Sequence, residues 1–535
     1  MANSSYDAIF VGSGISSLVG ASILAKAGWK VGVFERNSWI GGNIRSGAIT
    51  EPGFIHDLYS GWHPMFVSGE SYNLLKRDLT AHGVEYLNAD YSAAGLLPDG
   101  ASAFIASDHQ KNRKHFEQLA PGDGAAWDRA VASLMDKSDL AFGLMSTELW
   151  SLAGLSMVAK AVRRLGLRQT LEFGNELLGT SRGWLEGSFQ SKAIHGLLAP
   201  WVLHTGLGPD SATSGFMTAL IAVTLELTGM PIPRGGAAKL VDGFSGLLRD
   251  CGAELHANAP VKQVLIKGGK ATGVRTTAGD FEARRAVICC VTPHQLYLDL
   301  LDRAVVPDWV VANTRRFRYG RGDMQIHLAL SAPPQWPGDE RFLRTAMVHV
   351  SAGIDGVSRA VNEAERGLLP ADPTIVVGQP TVADKSRAPD GGWIIWIQLQ
   401  EMPNYPIGDA AGEISTNGTW TPEVRERFAD RVIAKLARQI PNLPGVILKR
   451  VVFSPADLEA ANPNLVGGDP YAGACTPDQF FIFRPLPGLK RHRTPIAGLY
   501  HIGASTHPGP GLHGASGLMV AKDLLGSRGV KRAFA

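Results

Sequence analysis

The stretch Asp7-Ala-Ile-Phe-Val-Gly12-Ser-Gly14-Ile-Ser-Ser17 decides the fold. An apolar run of strand length enters a glycine turn, a helical segment follows and closes at Gly28, and a second apolar run, Val31-Gly-Val-Phe34, ends in Glu35. Strand, glycine turn, helix and strand in that order predict a βαβ unit. In this context the bare backbone N–H groups after Gly12 and Gly14, together with the helix N-terminus, suit a pyrophosphate. The usual third glycine is Ser17, small enough to keep helix and strand close. Glu35, at the end of the second strand, is placed to accept hydrogen bonds from both ribose hydroxyls and to repel a 2′-phosphate, which favours FAD or NAD over NADP.

Working outward, Arg36 follows Glu35, and five residues later Gly41-Gly42 lets the chain run close against a bound dinucleotide, with Arg45 available to its phosphates. Val261 to Ile266, Ala271 to Thr277 and Phe281 to Cys290 predict a three-stranded meander with glycine turns. At the far end, Leu499-Tyr-His-Ile502 leads through Gly503-Ala-Ser-Thr-His507-Pro508-Gly509-Pro-Gly511-Leu512-His-Gly514 into a helical segment, Ser516 to Leu525.

These blocks resemble the FAD-dependent amine oxidase and phytoene desaturase superfamily, in which the first fingerprint continues as Glu-x5-Gly-Gly. The C-terminal run is similar to the flavin loop of phytoene desaturases and carotenoid ketolases, and Ala504 stands where amine oxidases usually carry an acidic residue. Pro233-Arg-Gly-Gly236, Ala383-Asp-Lys-Ser-Arg-Ala-Pro389 and Arg484-Pro-Leu-Pro487 extend the likeness over nearly the whole chain. The resemblance implies FAD as cofactor, an adenine-side contact from Val261, and flavin contacts from Gly503, His507, Pro508, Gly509, Gly511 and Leu512, with His507 shaping the loop. The expected fold is α/β. A Rossmann-type FAD-binding domain is drawn from residues 1–75, 231–300 and 481–535, and a mixed α+β substrate domain from 76–230 and 301–480.

The 535 residues carry 52 Lys and Arg against 49 Asp and Glu, a balance that excludes the broad basic field of a nucleic-acid binder. Four cysteines without CxxC spacing argue against a zinc site, a disulfide scaffold or disulfide reductase chemistry, and fit a reducing, cytoplasmic setting. No export signal is read at the N-terminus. Ala193 to Pro233 holds only two charges, Asp210 and Glu226, and is broken by glycine and proline too often to span a bilayer. It reads either as helix core or as the wall of an apolar ligand site. Trp150 to Arg168 sets Leu152, Leu155, Val158, Val162 and Leu165 near one helical face and Lys160, Arg164 and Arg168 on another, which reads as a core-covering helix or a peripheral membrane contact.

The expected chemistry is removal of hydride and proton from an apolar, isoprenoid/carotenoid or alicyclic substrate, with His63 and His204 as candidate proton-transfer residues. An O2-using ketolase or oxidase, and a catalytically silent flavin-binding protein, stay open as alternatives. Oligomeric state is not legible.

Overall fold

The computed structural model describes residues 5–534. One sheet runs, edge to edge, Val261–Lys267, Lys270–Thr276, Gly279–Cys289, Ser5–Val11, Val31–Phe34 and Glu254–His256, and Leu499–His501 also pairs with Gly279–Cys289. The meander is antiparallel and the remaining pairings are parallel. Both faces of the parallel strands are covered, so these strands read as nearly unbroken apolar runs. Ala8, Phe10, Val31 and Val33 pack under the first helix, Ile15–Lys26, while Tyr6, Ile9, Val11 and Phe34 face the opposite core.

Register is what positions the site. Val11 pairs with both Cys289 and Phe34, Phe34 with His256, and Cys289 with His501. Five strands therefore end on one line, and the residues that follow four of them, Gly12, Glu35, Cys290 and Ile502 with Gly503, gather at one carboxyl edge, where open α/β sheets bind ligands.

The second sheet has the order Ile447–Phe453, Gly322–Leu330, Trp393–Met402, Ile375–Gly378, Thr345–Val350, Tyr91–Leu96 and Ser102–Ala106. The last two strands lie inside the 76–230 part of the mixed substrate domain, where no strand is predicted from the sequence. Their small residues Ala93, Ala94, Gly95 and Ala103 mask the strand signal, and a Cβ at Gly95 would stand 2.5 Å from the Leu197 backbone, so tertiary packing chooses glycine there. Period-2 alternation splits this sheet cleanly. Met324, Ile326, Leu328, Val348, Val377, Ile395, Ile397 and Leu399 join Phe428, Val432 and Leu436 of the helix Pro422–Gln439 in one core. The opposite face carries Gln325, His327, Trp396, Gln398 and His349, and Gln325, Gln398, Val376 and His349 form a single cross-strand row.

The Ala193–Pro233 stretch folds as Lys192–Leu198, the 3-10 helix Ala199–Thr205 and the helix Ser214–Thr228. Leu197, Leu198, Val202, Leu203, Phe216 and Leu220 are buried, so most of the apolar run is core, while Met217 and Ile221 keep partial accessibility.

The helix Leu152–Leu178, interrupted at Gly166, turns its apolar stripe outward instead of covering the core. Leu152, Leu155 and Val158 are 83, 68 and 50% exposed, and it is Ala161 and Phe173 that pack inward.

Candidate active site

The first helix begins at Gly14, which supplies no side-chain cap, and its first turn holds no acidic residue. Its leading N–H groups are left for an anion. Around this point glycines let several backbones meet at Cys290. A Cβ on Gly12 would stand 3.1 Å from the Cys290 carbonyl oxygen, and one on Gly503 would stand 3.0 Å from its Sγ. Gly42 comes as close to the Gly14 Cα, and a Cβ there would stand 3.3 Å from it. Ser17 is fully buried at the helix–strand contact.

Glu35 is buried, and both carboxylate oxygens are fixed: Oε2 accepts from Ser13 N at 3.0 Å and Ser13 Oγ at 2.7 Å, and Oε1 accepts from Asn37 N at 2.9 Å. The Ser13 hydroxyl in turn accepts from Gly41 N at 2.9 Å, so the first turn, the acidic residue and the paired glycines form one unit. Ala259 N donates to Glu35 O, which brings the start of the Val261 strand beside the carboxylate. Arg36 is exposed, and the Arg45 guanidinium stacks 4.1 Å above the Trp39 ring beside the Tyr59 phenol.

The C-terminal glycine run meets the first one directly. Ser516 Oγ donates to Ser16 Oγ at 2.9 Å and accepts from Gly503 N at 3.1 Å. Beyond Gly503, His507 Nε2 reaches Thr147 O at 2.9 Å while its own carbonyl binds His492 Nε2 at 2.8 Å. Burial pushes the His507 imidazole down to about 4, so it is a neutral spacer in the loop. Pro508 is buried; Gly509 and Gly511, both at positive φ, carry the chain past Phe480 and Met65, and Leu512 packs against the core under the first helix.

A model of flavin containing amine oxidoreductases matches residues 15–362. The chain belongs to that family. Its relatives include rat pyridine nucleotide-disulfide oxidoreductase domain-containing protein 2, 27% identical across 96% of this chain and 92% of the relative. A limonene dehydrogenase subunit from Castellaniella defragrans is 24% identical across 98% and 95%, and the zeta-carotene-forming phytoene desaturase of Myxococcus xanthus is 24% identical across 94% and 90%. Among solved structures, a putrescine oxidase variant superposes with a TM-score of 0.60 at 16% identity, covering 97% of this chain and 98% of that one, which establishes the shared fold. Members of this family are FAD enzymes, and FAD is the cofactor here. The residues fit it: the uncapped helix start would suit the pyrophosphate and Glu35 the ribose, and the glycine-lined backbone of Gly41, Gly42, Gly503 and Gly511 leaves room that side chains would fill.

The two candidate histidines lie in different surroundings. His63 is fully buried, its Nδ1 3.0 Å from the Tyr86 hydroxyl, and burial pushes it down to about 4. His204 keeps accessible surface, stacks on Trp201 with ring centroids 4.6 Å apart, and holds its Nε2 3.1 Å from His349 Nε2. One residue before it, Leu203 O accepts from the Tyr471 hydroxyl, and Arg484 spans from Tyr471 O at 2.8 Å to Ala504 O at 2.8 Å. A short chain of bonds thus ties the His204 helix to the Gly503–Gly514 loop. The Trp62 indole lies over Gly378 and against Trp396, with centroids 5.2 Å apart.

Sequence reasoning missed His349, a lone histidine in an apolar strand, and Arg387, whose Asp-x-x-Arg setting in the Ala383–Pro389 block was the one available signal.

Proposed function

We propose that this chain is an FAD-dependent dehydrogenase that introduces a double bond into a largely apolar, isoprenoid or alicyclic molecule. Bound FAD supplies the hydride acceptor. The protein's part is orientation and water exclusion: the Trp62–Trp396 pair offers flat apolar area, and the Tyr471–Arg484 bridge holds the Trp201–Leu203 turn against the Gly503–Gly514 loop. That bridge is the observation that carries the reading, because it couples the turn holding Trp201 and His204 to the glycine loop we assign to the flavin. The relatives acting on limonene and on carotenoid precursors support the same substrate range. His204 is the histidine we assign to the substrate side, since it alone of the two candidates keeps accessible surface. The deciding experiment is anaerobic mixing of the yellow holoprotein with alicyclic terpenes and linear polyprenes. Bleaching of the flavin absorbance with formation of a desaturated product is expected, and product carrying oxygen from O2 would replace this reading with an oxygenase.

We further propose peripheral contact with an anionic membrane. Leu152, Leu155 and Val158 project beside Trp150, Ile482 and Phe483, each exposed by 39% or more, with Lys160, Arg163, Arg164 and Arg168 on the same helix. Among the described residues, no helix is long and apolar enough to cross a membrane.

A further inference from the structure

The face of the second sheet that meets the Trp201–Thr205 turn is buried yet polar, and its edge toward that turn is His349. This side chain is wholly buried, and its Nδ1 has no hydrogen-bond partner. Its Nε2 is 3.1 Å from His204 Nε2, a contact that only one shared proton satisfies. Trp201 covers both rings, stacked on His204 and edge-on to His349 at 4.7 Å. Burial drives His204 down to about 3 and His349 well below the ordinary imidazole range, and among the described residues no carboxylate lies beside either, so the pair is neutral.

A neutral pair has two arrangements. If His204 donates across the contact, the His349 proton sits on Nδ1, a buried N–H with no acceptor. If His349 donates, its Nδ1 is a bare lone pair, the less costly orphan. In that second arrangement His204 accepts at Nε2 and carries its own proton on Nδ1, the atom that makes no hydrogen bond among the described residues.

We propose that His349 is a positioning residue that locks His204 in the Nδ1–H form, so that the substrate space presents a fixed N–H donor and selects apolar molecules bearing an oxygen acceptor, a carbonyl or a hydroxyl. This rests on the assignment of His204 to the substrate side and narrows the substrate class to apolar molecules whose one oxygen acceptor is held at the fixed imidazole N–H.

The test uses the FAD-loaded full chain. With 15N-labelled histidine, the His204 signal, assigned through His204→Gln, is expected to show a protonated Nδ1 and a bare Nε2; the reverse pattern overturns the proposal. Flavin absorbance titrations with a cyclic ketone, its alcohol and its parent hydrocarbon are expected to favour both oxygenated ligands at least tenfold. His349→Leu is expected to bring that preference below threefold, and His349→Gln, which retains an amide donor near the Nε2 position, to restore it. Equal binding of all three ligands to the unaltered protein overturns the proposal. A flavin that no ligand reduces, with the tautomer and the preference intact, overturns the dehydrogenase reading instead and leaves this one standing.

Discussion

Arg387 Nη1 lies 2.9 Å from Asp57 Oδ2, a contact between residues 330 positions apart in which both side chains are shut away from water. The same guanidinium binds Asp384 Oδ2 at 3.1 Å and Pro233 O at 2.8 Å, while Asp57 accepts from Ala237 N and Asp384 from Gly235 N, each at 2.7 Å. One cation thereby pins the Pro233–Gly236 turn between two carboxylates. Arg387→Met leaves two buried charges uncompensated and is expected to cost about 3–5 kcal/mol. Arg387→Lys keeps the charge without the planar fork and is expected to fall between. Urea unfolding monitored by tryptophan fluorescence reads both, and a Met variant as stable as the parent would sink the claim.

Glu35 is expected to govern cofactor retention. Glu35→Ala would remove the acceptor we assign to the ribose and free the Ser13 turn, and FAD affinity is expected to fall about 10–100-fold, the effect of losing one or two charged hydrogen bonds. Isothermal titration of the stripped protein measures this directly, and unchanged occupancy after dialysis would refute the ribose role.

The first and last helices cross at glycine. A Cβ on Gly517 would stand 1.8 Å from Ser16 O, and one on Gly20 would stand 3.1 Å from Gly517 O. Gly517→Ala must therefore push Ala515–Ala533 away from the first helix and drag the flavin loop with it. Loss of both FAD content and thermal midpoint is expected. The control is Gly187→Ala, where nothing lies within 4 Å and the residue sits in the helix Ser181–Ser188, so no loss is expected.

Stability is expected to rise between about pH 4 and pH 6.5. Burial pushes His56, His63, His501, His507 and His513 down to about 4, so across that window the unfolded chain binds more protons than the native one, and raising the pH favours the native state. Asp323 and Glu401, pushed up to about 7 by burial, act the other way: the native chain holds their protons while the unfolded chain has released them, and stability drains as pH rises through that range. Five histidines outweigh two carboxyls. Asp323→Asn is expected to gain stability relative to the parent above pH 7 and to match it near pH 4, as unfolding free energies at the two values will show.

Replacing Leu152 and Leu155 by Glu is expected to abolish flotation with anionic liposomes at low salt while FAD content is unchanged. Flotation that survives the double change, or a parent that never floats, removes the membrane contact.

The cofactor clasp was legible because its parts are local. A glycine at positive φ, an apolar run of strand length and an acidic residue at its end are properties of a few consecutive positions, and once strands of such length pair in parallel, register carries Gly12, Glu35 and Gly503 to one edge. Small-residue strands such as Tyr91–Leu96 were hidden, because their alanines and glycine answer to the helix packed against them and not to strand propensity. The exposed stripe of Leu152–Leu178 was equally ambiguous, since a helix has the same periodicity whichever way its apolar face turns.

By itself, then, the order of amino acids determined that this chain folds around FAD, since backbone torsions and pairing length are written residue by residue. That His63 is sealed while His204 keeps accessible surface, that His349 stands behind His204 from 145 positions away, and that Arg387 answers Asp57 were decided only by packing. Those partnerships depend on removing groups from water, and burial is a property no single stretch of chain possesses before the others have closed over it.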